Sequence, residues 1–371
     1  MPLFAQAITR IQPYFGYRNE HTLHITARAL KSREPDFANR GRWQAIRTML
    51  AQFASHEVEG LRVRLEIERV GADASQEFTA KTDKEGFVVF EVLLEGGWPL
   101  PRQTSWEVVA LHWHSEGEDH CVEGHVLVPG EAERLGVISD IDDTIIETGI
   151  TGGIRPLLRN LRRVLAELPD ERLAVPGSDA FYGALGGGKV LGAQDAHLGD
   201  RLEATHRPFF YISSSPWNLF SYLVSFQKSR GLPLGPLMLR DWGFDSETLG
   251  SSSHGAHKVR ALKTILETYP NMRFALIGDD TQGDLTAYGD IVGDHPGRIA
   301  AIFIRSAGEA LSAEEIAAKA TIEAAGVPFW FGESYEIGQN FLRAAGLARE
   351  EEAEKIVETA RHAAEPESEG A

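Results

Sequence analysis

The stretch Leu135-Gly-Val-Ile-Ser-Asp-Ile-Asp-Asp-Thr-Ile145 decides the fold. Its first half is a short apolar run rich in β-branched residues, which reads as a buried strand. Its second half presents Asp140, Asp142 and Thr144 at the point where that strand ends. In open α/β sheets ligands sit outside the carboxyl ends of the strands, so these polar groups are candidates for chemistry. Taken alone, an Asp or Thr after a strand serves as readily as a turn former or a helix cap. Three further pieces follow in order: an apolar strand ending in serine (Phe209-Phe-Tyr-Ile-Ser213), a lysine opening a helix (His257-Lys258), and an apolar strand ending in acids (Phe274-Ala-Leu-Ile-Gly-Asp-Asp-Thr-Gln-Gly-Asp284).

Working outward, strands alternate with helical segments after Pro129-Gly130, the pattern of a parallel sheet covered on both faces. Strands are expected near 135–139, 208–213, 236–240, 273–278 and 299–304. Roughly seventy residues separate the first two, far more than an ordinary connection. That insertion contains the Gly-rich run Gly183-Ala-Leu-Gly-Gly-Gly-Lys189 and reads as a lid or mobile loop. Before Pro129 the apolar residues recur every second position, as in Leu61-Arg-Val-Arg-Leu-Glu-Ile-Glu68 and Gly86-Phe-Val-Val-Phe-Glu-Val92. This predicts an all-β, sandwich-like unit, with a helix over Trp43 to Phe53 crossing it. The division expected is a β-rich unit over 1–130, a catalytic unit over 131–346, and an acidic, frayed or disordered tail over 347–371.

With 371 residues and 43% apolar content the chain can build ordinary cores. A net charge of −17 opposes binding to polyanions, which argues against nucleic acid as a partner. No apolar run approaches the ~18 residues that span a bilayer, no signal peptide is evident at the start, and the single cysteine, Cys121, forms no internal disulfide. The expected compartment is the cytoplasm.

An aspartate attacks a phosphate monoester poorly because both are anions, and a divalent cation removes that objection. Oxygen ligands from Asp140 with Asp279 or Asp284 suit Mg²⁺ and disfavour zinc. Asp140 can then act as nucleophile toward phosphorus, with Asp142, pointing the same way along an extended backbone, as acid and base. Thr144 would fix the loop, Ser213 would donate to a phosphoryl oxygen, and Lys258 would neutralise charge in the transition state, with Lys263 as its rival for that role. Asp280 reads as a capping or supporting acid.

These four pieces resemble the signature of the haloacid dehalogenase superfamily, and the second Asp of Asp140-Ile-Asp142 is similar to that of its phosphatases. Phe210-Tyr-Ile-Ser-Ser-Ser-Pro-Trp-Asn-Leu219, Gly235-Pro-Leu-Met-Leu-Arg-Asp-Trp-Gly243 and Pro296-Gly-Arg-Ile299 narrow the likeness. They resemble the catalytic domain of the actin-patch-associated phosphatidate phosphatase family, with lipins as more distant relatives. The resemblance implies a Rossmann-like fold of strand order 3-2-1-4-5 and Mg²⁺-dependent hydrolysis of phosphatidate to diacylglycerol and phosphate. It further implies catalytic roles for Asp140, Asp142, Thr144, Ser213 and Lys258, and a metal site drawn from Asp140, Asp142, Asp279 and Asp284. The alternatives are a phosphatase for a soluble phosphomonoester or phosphoprotein, and a lipid-binding scaffold without turnover.

The helix expected over Ile154 to Leu168 has an apolar face and four arginines (155, 159, 162 and 163), so it can pack on the sheet or rest peripherally on an anionic membrane. His112, His114, His120 and Cys121 cluster in sequence without matching a standard zinc spacing and read as surface residues on a hairpin. Arg240 with Asp241, and Trp217 with Trp242, serve equally as scaffold or as contacts to a lipid.

Overall fold

A computed structural model describes residues 8–32, 56–68, 75–141, 178–190, 202–240, 252–280, 283–306, 308, 310–332 and 345–347. The expectations for Trp43 to Phe53, Asp142, Thr144, the arginine-bearing helix, Asp241, Trp242 and the acidic tail beyond Leu347 lie outside the described residues, while Leu347, expected to open that tail, is buried in the core.

Nine strands make the amino-terminal sheet: β1 (Ile8–Pro13), β2 (Gly16–Arg18), β3 (Thr22–Ser32), β4 (His56–Glu57), β5 (Arg62–Glu68), β6 (Ser75–Lys81), β7 (Phe87–Leu93), β8 (Ser105–Ser115) and β9 (Glu118–Val128). Their order is β1-β3-β2-β9-β8-β5-β6, with β4 and β7 also paired to β3. The period-two pattern is visible directly in β5, where Val63, Leu65 and Ile67 are buried while Arg62 and Glu68 are exposed. Apolar side chains of β3 and β7 meet those of β5 and β8 in one core, so the arms of this sheet face each other rather than lying flat.

The second sheet has six parallel strands: β10 (Leu135–Asp140), β13 (Phe209–Pro216), β14 (Leu237–Arg240), β15 (Arg273–Asp279), β16 (Ile299–Arg305) and β17 (Phe329–Gly332). Their order is β14-β13-β10-β15-β16-β17, which places β10 inside the sheet. A two-residue pair, β11 (Lys189–Val190) with β12 (Ala204–Thr205), stands apart. The central strands are buried along nearly their whole length instead of alternating, because both faces are covered. On one face Val137, Tyr211 and Ile277 pack with α1 (Ser178–Leu185) and α2 (Phe220–Ser229). On the other, Ile138, Ile212 and Leu276 pack with α3 (Ser252–Thr268), α4 (Asp284–Asp294) and Ile322 of α5 (Ala313–Ala324).

The described part of the long insertion is not a loose lid. Phe181, Tyr182 and Leu185 of α1 are fully buried in the core. The Gly-rich run turns onto β12, where a Cβ on Gly186 would lie 2.8 Å from the Thr205 methyl. Residues 191–201 fall outside the described residues.

The two sheets share an apolar boundary. The Tyr14 ring lies 4.4 Å from Trp217 and 4.9 Å from Phe220, and Tyr17 meets Phe210 edge-on at 5.9 Å. Polar ties reinforce it: Arg28 Nη1 donates to Asn218 Oδ1 at 2.6 Å, and Asn19 Nδ2 to the Thr268 carbonyl at 2.6 Å. Trp217 is therefore a packing residue between the sheets, and it follows the strand that carries Ser213.

Candidate active site

Parallel strands deliver their last residues to one edge, and three acids converge there. Asp140 closes β10, Asp279 closes β15, and Asp284 opens α4. All three are buried, and their carboxylate oxygens lie within 4.8 Å of one another. Among the described residues no other group of histidines, cysteines or acids converges this way.

Local structure explains each position. Asp140 pairs in register with Ile212 of β13, so the peptide before Ser213 lies alongside it. Gly283, at φ 75°, turns the chain into α4, and the Asp284 side chain folds back to accept the Asp279 backbone N–H at 3.0 Å. That return needs a glycine on β15: a Cβ at Gly278 would sit 2.6 Å from Asp284 Oδ2 and 2.7 Å from its Cγ. Behind the strand, Ser139 Oγ donates to the Asp140 carbonyl at 2.7 Å. Its single proton is then committed, so Tyr182 donates its phenolic proton to Ser139 Oγ, also at 2.7 Å.

Lys258 reaches the cluster from α3. Its ammonium lies 2.5 Å from Asp284 Oδ1 and 3.5 Å from Asp140 Oδ1, with 1% of the side chain exposed. Burial works against its charge, yet Asp140, Asp284 and Asp279 outweigh that penalty and hold the ammonium well above the usual lysine range. Burial pushes Asp284 up to about 6, with Lys258 pulling it down and Asp279 pushing it further up. Lys263 instead faces outward and pairs with Asp294 at 2.8 Å, so it takes no part.

Among the described residues three carboxylates face one ammonium, an excess of two negative charges when all are ionised. An all-oxygen, anionic donor set of this kind fits a hard divalent cation.

Ser213 is fully buried at the same edge, and its Oγ accepts the Ser215 backbone N–H at 2.9 Å, which turns the chain after β13. Asp280 is not one of the converging acids; its carboxylate accepts a hydrogen bond from Ser306 Oγ at 2.9 Å. The β8–β9 hairpin sets His112 opposite Cys121, but His112 pairs with Glu66 at 3.0 Å and His114 with Asp119 at 2.8 Å. Gly278 and the Tyr182–Ser139 pair were not anticipated from sequence. Of the two, only the glycine carried a signal: a small residue directly before the strand-ending acid.

Comparisons with known proteins cover the segment that holds this cluster. Residues 135–306 match the family model described as the catalytic domain of the phosphatidate phosphatase APP1. The phosphatidate phosphatase APP1 of Saccharomyces cerevisiae is 29% identical over 178 residues, 48% of this chain and 27% of that protein. An uncharacterized protein of Schizosaccharomyces pombe is 24% identical over 233 residues, 62% of this chain and 34% of that one. The chain thus spans about a quarter to a third of the length of these relatives. Among solved structures, a β-glucuronidase of Parabacteroides merdae covers 81% of this chain and 40% of its own at 7% identity, with a TM-score of 0.27, too low to bear on the fold. No described helix is long and apolar enough to cross a membrane. Over residues 135–306, just under half of its length, the chain is similar to the catalytic domain of the APP1-like phosphatidate phosphatase family.

Proposed function

We propose that this chain is a Mg²⁺-dependent phosphatidate phosphatase of the haloacid dehalogenase type, hydrolysing phosphatidate to diacylglycerol and phosphate at the edge where Asp140, Asp279, Asp284 and Lys258 meet. The observation that carries the proposal is that buried cluster, set at the carboxyl ends of adjacent parallel strands inside the segment that matches the APP1 catalytic domain. The strand order, with β10 between β13 and β15, supports the superfamily assignment.

Asp140, Asp279 and Asp284 would hold Mg²⁺, with Asp142 as the fourth candidate ligand, and the bound ion would neutralise the phosphoryl oxygens. Asp140 attacks phosphorus in line and forms an acyl phosphate while the P–O bond to diacylglycerol breaks. Asp142 donates a proton to that departing alkoxide, then takes one from the water that attacks the same phosphorus. Phosphate leaves and Asp140 is restored. Ser213 donates to a phosphoryl oxygen, Lys258 balances charge on the nucleophile and on the phosphoryl group, and Thr144 holds the loop. The enzyme would work from the cytoplasm, meeting its lipid at the membrane surface.

The test is phosphate release from phosphatidate in mixed micelles, set against a panel of soluble phosphate esters, each with Mg²⁺ and with EDTA. Mg²⁺-dependent turnover that favours phosphatidate is expected. A clear preference for a soluble ester, or full activity in EDTA, would overturn it.

A further inference from the structure

A cleft of about 440 Å³ lies between the amino-terminal sheet and the β14 edge of the parallel sheet, a size in the range of small-molecule sites. One wall is β14, through Leu237, Met238 and Leu239, and the facing wall is β3 and β7, through His24, Thr26 and Val89, with Ile25 and Phe90 packed into the core behind it. Tyr14, Phe15, Tyr17 and Trp217 add aromatic surface. The helix α3 supplies the remaining side, from Ala256 and His257 to Thr264.

Its position follows from the topology. β14 is parallel to β10, so it ends at the catalytic edge; α3 begins beyond that edge and runs back along the sheet. Ala256 and His257 therefore lie at the end of the cleft near the acids, and Thr264, eight residues on, lies roughly 12 Å further down. The same helix turns Lys258 toward Asp140 and Asp284 and turns Arg260, Ala261 and Thr264 toward the cleft. In a chain of net charge −17, no described residue lining the cleft is acidic, while Arg260 stands exposed there. An apolar slot with a cationic side, walled by the same helix that carries Lys258 to the acids, complements an apolar chain with an anionic end.

We infer that this cleft receives an acyl chain of the lipid phosphate whose head group is cleaved at Asp140, and that it sets the preference for long-chain substrates. The inference rests on the lipid-phosphate reading above, and the experiment separates the two. First, kcat/KM is compared for dioleoyl and dihexanoyl phosphatidate in wild type, Ala256→Phe and Thr264→Phe, which fill the cleft near its catalytic end and at depth. The dioleoyl-to-dihexanoyl ratio is expected to fall about tenfold or more. Second, dodecyl phosphate brominated at its chain end is titrated into Asp140→Asn protein. Quenching of Trp217 fluorescence is expected, absent in the added Trp217→Phe variant and weakened by Thr264→Phe.

An unchanged chain-length ratio in both filled variants, with phosphatidate still hydrolysed, overturns the cleft assignment and leaves the proposed function standing. Quenching that depends on Trp217, in a protein that hydrolyses no phosphatidate, overturns the proposed substrate and leaves the cleft as an apolar-chain site. Absence of that quenching overturns the cleft assignment in either case.

Discussion

Replacing Lys258 by methionine removes the one ammonium that the described residues set among three buried carboxylates, while roughly keeping side-chain volume. Breaking a buried ion pair by deleting one partner costs about 3–5 kcal/mol, because the remaining charge stays buried and uncompensated. In EDTA, at about 2–4 °C per kcal/mol for domains of this size, Lys258→Met should therefore melt about 6–20 °C below wild type. A cation held by the same acids supplies the missing positive charge, so saturating Mg²⁺ should recover much of that loss and raise the variant's Tm more than the wild type's. Calorimetric melting of both proteins, each in EDTA and in Mg²⁺, gives the four values needed. A loss in EDTA below about 1 kcal/mol, or a loss of equal size with and without Mg²⁺, would refute the view that lysine and cation share the charge of one cluster.

A methyl group at Gly278 must displace Asp284, so Gly278→Ala should weaken Mg²⁺ binding about 10–100-fold by titration calorimetry; unchanged affinity would show that Asp284 is not held as described. His24 and His125 are half-buried, and burial lowers both below the usual histidine range despite nearby Glu91 and Glu123. As pH falls through about 6.5 the unfolded chain takes up these protons before the folded one does. The stability that the neutral rings contribute is therefore full above that pH and is lost below it. Urea midpoints should drop toward acid, less steeply in a His24→Gln/His125→Gln double variant, and an identical slope in the two proteins would rule the histidines out. For Asp142→Asn the expected loss of kcat is severe with phosphatidate and milder with p-nitrophenyl phosphate, whose leaving group needs less protonation. Equal losses with both would count against an acid role.

The parallel strands were legible because burial on both faces turns them into continuous apolar runs punctuated by Asp or Ser, as in Phe274 to Asp279. The observed bounds lie within about three residues of those expected. β17 was missed: Phe329–Gly332 is four residues, all half-buried, too short and too even to show a period. Which of Lys258 and Lys263 meets the acid cluster was decidable from helical spacing. Lys258 shares its face with Leu262, Ile265 and Tyr269, all buried, while Lys263 lies more than a quarter turn away. The packing of Tyr14 on Trp217 joins residues about two hundred positions apart, and no local pattern announces such contacts. The demand for glycine at 278 arises only once Asp284 folds back onto the strand. The Gly-rich run after α1 suggested mobility from composition, whereas the buried aromatic pair Phe181 and Tyr182 just before it anchors that segment.

The most direct test of the account is to capture the phosphoryl group on the protein. Phosphatidate labelled in its phosphate is mixed with enzyme and Mg²⁺, quenched in acid within the first turnover, and the labelled peptide is sequenced by mass spectrometry. A hydroxylamine-sensitive acyl phosphate on Asp140, absent from Asp140→Asn, is expected. Turnover without any protein-bound phosphate, or a label on another residue that persists in Asp140→Asn, would contradict it.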